Sequence, residues 1–224
     1  MFRNLLSFWK GKEFLAQVFE EFKDMLDDTE FMFKAVCGRL LDNVEEPDLK
    51  KKIYEIDKKV NRLQKDIRKR IVEHLSLQPT VDITACLLLM SVVKDAERLG
   101  DYAKNLYEVT ELLEKPIDKK LFSEYFGDID KDIMTLFEQT RAAFIEADKE
   151  KAGLAWDYEK RIAKDCDRIV EQIAKSNLSV NEAVCFTLIA RHFKRLVAHL
   201  VNIATSVILP ISDLDYFDEK RGAE

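Results

Sequence analysis

The stretch TVDITACLLLMSVVKDAERLGDYAKNLYEVTELL, Thr80 to Leu113, decides how the chain folds. Its apolar residues Ala85, Leu88, Val92, Ala96, Leu99, Ala103, Leu106, Val109 and Leu113 advance by steps of three or four, which winds one stripe along a helix. Between Ala85 and Val93 the run ACLLLMSVV is apolar nearly all round, a pattern a helix tolerates only where neighbours cover more than one face. This helix is therefore expected to be an inner one.

The same stretch returns in altered form between Asn177 and Ile208. Without a gap, SVVKDAERLGDYAKNL (Ser91 to Leu106) lies over LIARHFKRLVAHLVNI (Leu188 to Ile203), so that Leu99 meets Leu196, Arg98 meets Arg195 and Asn105 meets Asn202. Two related units sit in one chain. The repeat is clear only here; no single offset aligns the helices that precede the two copies.

Working outward, apolar positions Phe14, Val18, Phe22, Met25, Phe33, Val36 and Leu40 predict a first helix from Glu13 to Asn43, and Ile53, Ile56, Val60, Leu63, Ile67 and Ile71 a second from Asp48 to Ser76. The second carries KKK, KK and RKR runs on its outer side. After Pro116 and a turn-like SEYFGD, a fourth helix runs through Ile129 and Phe144 to a break at Lys151 to Gly153. A fifth follows from Ala155 to Lys175, and a sixth ends at Pro210. Ser179 and Glu182 have the spacing of a capping box. The expected fold is all-α: six helices in two tandem three-helix bundles, up-down and antiparallel, with residues 1–116 forming the first and 117–224 the second and its tail.

Composition agrees. The 224 residues are 47% hydrophobic and 35% charged, with only 6 Gly and 4 Pro, which favours long amphipathic helices and a real core. The net charge of −6 argues against nucleic-acid coating, since that work is dominated by neutralising phosphates. Cys37, Cys86, Cys166 and Cys185 show no C-x-x-C spacing and lie mostly in apolar stretches, so they read as reduced core residues of a cytoplasmic protein. The opening MFRNLLSFWKGKEF has no long apolar core or cleavage site, and no run approaches a membrane span. Phe2, Leu5, Leu6, Phe8 and Trp9, beside Arg3, Lys10 and Lys12, are expected to dock on the bundle or a dimer partner rather than on a membrane surface.

Glu97 and Asp101 stand i, i+4, so both carboxylates project from one side of the third helix. Two acids one turn apart repel. A hard cation such as Mg²⁺, Ca²⁺, Mn²⁺ or iron would relieve that, while Lys94, Arg98 and Lys104 within a turn supply the simpler remedy of a solvated, balanced face. In the second copy Lys194 replaces Glu97 and Ala198 replaces Asp101. There Arg191, His192, Lys194, Arg195 and His199 form a basic patch suited to an anion or an acidic partner surface. Glycine loops for phosphate, G-x-S-x-G, H-E-x-x-H and the E-x-x-H steps of helical di-metal enzymes are missing, so no enzyme is expected.

With ERLGDYAKNL at Glu97 to Leu106 and ARHFKRLVAHLVNIATSVI at Ala190 to Ile208, the chain resembles the PhoU family of phosphate-signalling accessory proteins, whose pattern is E-R-I-G-D-H-A-x-N-I near the end of each unit. The first copy fills the pattern with Leu99 for Ile and Tyr102 for His; the second keeps Arg195, His199, Asn202 and Ile203 but not the acids. The resemblance implies a tandem, often dimeric protein that represses phosphate-starvation signalling through a phosphate ABC transporter and a membrane sensor histidine kinase, touching the membrane only through them. Lys94, Arg98, Arg191, Lys194 and Arg195 would meet those partners. It also implies metal at Glu97 and Asp101, a divalent ion or iron, while the loss of the acids in the second copy speaks against a symmetrical pair of clusters. An accessory factor of another phosphate permease, or a helical-bundle protein that chiefly binds metal, is the alternative.

Overall fold

The computed structural model describes residues 13–42, 44 and 46–215. Among them are seven α-helices and no strand: α1 Glu13–Asp42, α2 Leu49–Leu77, α3 Ile83–Leu112, α4 Lys119–Phe126, α5 Ile129–Glu146, α6 Lys149–Ala174 and α7 Val180–Thr205, followed by a 3₁₀ turn at Ile211–Asp213. The apolar segment Phe2 to Trp9 lies outside the described residues, as does the tail after Asp215.

The expected six helices become seven because the turn-like SEYFGD is the end of α4. Asp118 starts that helix by accepting from the amides of Lys120 and Leu121, and Gly127 ends it at φ +57°, a conformation open to glycine. Phe122 and Phe126 stack with centroids 4.3 Å apart and set their edges on Phe186 of α7. The expected break at Lys151 to Gly153 is also displaced. Ala147 closes α5 in the left-handed region, and Asp148 caps α6 by accepting from the amides of Glu150 and Lys151, so Gly153 falls inside α6. The capping box of Ser179 and Glu182 is present.

Helices α1, α2 and α3 pack on one another, α5, α6 and α7 do likewise, and α3 lies along α7. The last pair runs antiparallel: Asp95 meets His199 and Asn202, while the carbonyl of Leu112 meets Asn181. Leu99 and Leu196, aligned in the repeat, are both fully buried. All thirteen buried residues of α3, Ala85 to Val109, spread over more than one face, so α3 is an inner helix. Phenylalanines tie the layers together. Phe144 of α5 contacts Phe19 and Phe22 of α1, and Phe33 of α1 lies between Phe137 and Phe193. The cysteines are free; Cys86, Cys166 and Cys185 are buried, and burial pushes the Cys166 thiol up to about 12. Trp156 packs against the core.

Gly100 lets α1 approach α3 closely. A Cβ built there would lie 3.5 Å from Thr29 Cγ2 and 3.8 Å from Val60 Cγ1, ordinary contact distances. Gly100→Ala should therefore fit and raise unfolding free energy by about 0.5 to 1 kcal/mol through lost unfolded-state entropy. Gly100→Leu should instead cost about 1 to 3 kcal/mol by overpacking. Urea unfolding of the two variants beside the parent checks both.

Candidate functional site

The acids of α3 sit in the crevice between α2 and α3. Glu97 and Asp101 have side chains 17% and 26% exposed, and Asp57 of α2 faces them at 12%. Lys104 Nζ donates to Asp57 Oδ1 at 2.9 Å and to Asp101 Oδ1 at 3.2 Å, bridging the two helices. Arg98 Nη1 donates to Asp101 Oδ2 at 2.9 Å, and its Nε lies 3.7 Å from Glu97 Oε2. Asn61 Nδ2 donates to the other Asp57 oxygen at 3.4 Å.

Charge is thus compensated unevenly. Asp101 and Asp57 have the ammonium; Glu97 has the more distant guanidiniums of Arg98 and Arg68. Burial, and then Asp101, push the Glu97 carboxyl above its ordinary range against the pull of Arg98 and Arg68. Among the described residues no three His, Cys, Asp or Glu side chains converge as a ligand set. The donors are hard carboxylate oxygens, which suit one hydrated divalent cation or iron; they do not suit a multinuclear cluster, because Lys104 already holds two of them. Glu97 is the acid that a cation would relieve.

The second copy inverts the charge. Lys194, in the place of Glu97, pairs with Asp167 of α6, and Arg191 Nη1 lies 3.9 Å from the same carboxylate. Arg195 is exposed, and Ala198 leaves the position of Asp101 without a polar group. Lys94 points elsewhere, to Asp215 at 3.0 Å and to Asp95 at 3.5 Å. The structure therefore brings Glu97, Arg98 and Asp101 together at α2, and Arg191 and Lys194 together at α6. Lys94 stands apart from both groups.

The profile of the PhoU domain matches residues 22–110, which span most of α1 to α3, and residues 131–207, which span α5 to α7. The chain belongs to the PhoU family. Two PhoU homologs described as phosphate-specific transport system accessory proteins are similar along most of their length. That of Synechocystis is 25% identical over 161 residues, 70% of this chain and 71% of that one. A Thermotoga maritima PhoU homolog is 26% identical over 186 residues, 79% and 78% of the two chains. The crystal structure of PhoU from Pseudomonas aeruginosa superposes with a TM-score of 0.76 over 89% of this chain and 97% of that one, at 20% identity. The phosphate transport system regulatory protein PhoU from Streptococcus pneumoniae gives 0.74 over 86% and 92%, at 17% identity. These two likenesses concern the fold. Both PhoU-domain segments end in the α3 or α7 helix that carries the charged groups.

Three participants were not singled out from sequence: Asp57, Asp95 and Asp167. Asp95 is fully buried where α3 meets α7. Its Oδ1 accepts from Asn202 Nδ2 at 3.2 Å and pairs with His199 Nδ1 at 2.8 Å, while Oδ2 is buried without a partner. Tyr102 stacks on His199 with centroids 5.7 Å apart and tilts against His192 at 5.9 Å. Burial pushes His192 below its ordinary value. A signal for Asp95 does exist: it stands three residues after Val92 and four before Leu99, which puts it beside Ala96 at the edge of the apolar stripe. Asp57 and Asp167 sit on helices whose register against α3 and α7 is a tertiary property.

The raised Glu97 carboxyl gives a pH test. Because the folded chain holds that proton at higher pH than the unfolded one, its contribution to stability falls as pH rises through the raised value. Glu97→Gln should raise the melting temperature at pH 7, and the gain should shrink as pH is lowered toward the ordinary carboxylate value of 4.5. Melting curves of both proteins across that range check it.

Proposed function

We propose that this chain is a non-enzymatic cytoplasmic regulator of phosphate uptake and phosphate-starvation signalling, acting as an adaptor to a phosphate ABC transporter, a sensor histidine kinase, or both. The observation that carries the reading is the double PhoU-domain match, one to each half of the chain, together with relatives that bear the name of phosphate-transport accessory proteins along most of their length. We read the helix pairing as two three-helix units divided at residues 116 and 117, working as a homodimer.

The chemistry supports an adaptor. Arg98, Arg191 and Arg195 are exposed, and Glu97, Asp101 and Lys194 are part-exposed at the helix crevices, not around an enclosed chamber. A cleft of about 480 Å³ between α1 and α5, lined by Glu30, Phe31, Glu138, Arg141 and Ile145 among others, is open and includes neither Glu97 nor Asp101. Arg191, Lys194 and Arg195 give α7 a positive surface for acidic segments of a partner, and Arg98 extends the α3 surface in the same way. Lys94 would join them by exchanging Asp215 for a partner acid. No described helix is long and apolar enough to cross a membrane; in this role the chain works from the surface of its membrane-embedded partners. Glu97 and Asp101 hold, in this reading, one hydrated divalent cation or iron, with Lys104 yielding its place on Asp101. Service beside a different phosphate permease would use the same surfaces.

Deletion of the gene should derepress phosphate-responsive expression at high phosphate. Complementation with Arg191→Glu/Lys194→Glu should fail to restore repression while the protein accumulates normally. Unchanged expression and phosphate uptake in the deletion strain, at high and low phosphate alike, would overturn the role.

Elemental analysis of chain purified without chelator should find metal near one equivalent, lost in Glu97→Gln/Asp101→Asn. Metal retained by that variant would place it elsewhere.

A further inference from the structure

Helix α2 carries ten Lys and Arg against four Asp and Glu, a surplus of six positive charges in a chain whose total is −6. Its counterpart in the second triplet, α6, carries six of each. The surplus is therefore not a property of the repeat.

Position on the helix separates the cations into two sets. Those pointing sideways are used within the fold: Lys50 pairs with Glu111, Lys52 with Glu46, Lys59 with Asp28 and Arg70 with Glu21. Those pointing outward are not. Lys51, Lys58, Arg62, Lys65 and Lys69 fall within an arc of about 60° at the helical 100° per residue, opposite the buried Ile53, Val60 and Ile67. All five are exposed, and among the described residues only Lys69 is in an ion pair, with Glu73 at 3.8 Å on its own helix. At 1.5 Å per residue the row is about 27 Å long. Val72, 56% exposed, continues the same face, and Leu77, 83% exposed, stands at the helix end. The exposed acids Glu55, Asp66 and Glu73 all lie on one side of the arc, about 20° to 40° beyond it, and do not interrupt the row.

An ordinary solvated helix face alternates its charges; this one collects a single sign in a straight line of exposed side chains. We propose that the outer face of α2 is a docking surface for an anionic phospholipid bilayer. A flat sheet of negative headgroups is the partner that all five side chains can reach at once from one side of a straight helix, with Val72 and Leu77 entering the interfacial layer at the end of the row. Nucleic acid fits less well, because the acidic remainder of the chain would repel a polyanion that bends around it. The contact is electrostatic, since the apolar face of α2 is already committed to the core. It goes beyond the regulatory reading and stands without it: it concerns lipid met directly, not through a transporter or kinase.

The test is co-sedimentation of the full chain with vesicles of equal parts phosphatidylglycerol and phosphatidylcholine, beside vesicles of phosphatidylcholine alone. The chain should pellet with the anionic vesicles only, and less at high salt. Each cation is worth roughly fivefold in partitioning, so Lys58→Glu/Arg62→Glu/Lys65→Glu should weaken it by at least about a hundredfold. Lys160→Glu/Lys164→Glu/Arg168→Glu on exposed α6 should change it less than about threefold, because that helix has as many acids as cations and no one-signed row. Circular dichroism should show both variants folded; these are surface changes. Failure to pellet, equal losses in the two variants, or no loss in the α2 variant would each overturn the proposal. So would retention on duplex DNA as tight as on the vesicles, which would assign the row to a polyphosphate instead.

Discussion

Everything in this molecule depends on α3 lying along α7. Helix α3 is apolar on too many sides to be an outer helix, and its fully buried Leu99, like Leu196 of α7, belongs to a core that only several neighbours together can close. Into that apolar contact the chain places one charged group. Asp95 is a buried carboxylate whose hydrogen-bond partners His199 and Asn202 come from the opposite half, with Lys94 of its own helix 3.5 Å away. Apolar contact is indifferent to sliding, whereas a buried acid with fixed donors is satisfied in one register only. The apolar surface supplies attraction, and Asp95 supplies register.

The same architecture carries two different charge arrangements. On α3, acids lie in the α2 crevice and a lysine of the same helix reaches back to hold them; on α7, the lysine occupies the acid's position and the acid comes from α6. A positive and a negative group meet in both crevices with the roles exchanged. Cohesion between the second and third helices of each triplet is retained while the helix that supplies the acid is exchanged.

Much of this was legible in the sequence. The three-and-four stepping of apolar residues located α1, α2, α3 and α7, and the Ser179 to Glu182 spacing placed the start of α7. Two boundaries were misplaced for local reasons. Gly153 has the look of a breaker, but the capping side chain of Asp148 outweighs it; SEYFGD has the composition of a turn, but Phe122 and Phe126 gain more from stacking on Phe186 in helical form than from solvent. Glu97 and Asp101 could be paired from spacing alone, since one helix turn joins them. Asp57 and Asp167 could not, because nothing local states which turn of α2 or α6 will face which turn of the third helix.

Asn181 sits in the first turn of α7, yet it finishes α3: its amide donates to the carbonyl of Leu112 at 2.8 Å, and its oxygen accepts from the amide of Glu114 at 3.1 Å. A helix terminus commonly borrows its last partners from its own neighbourhood in sequence, or from water. Here the loan comes from nearly seventy residues further on. The duplicated halves have thereby given up their independence: a gene fragment encoding the front portion alone would yield a product with a frayed end and a greasy flank, and each portion serves as the other's missing wall.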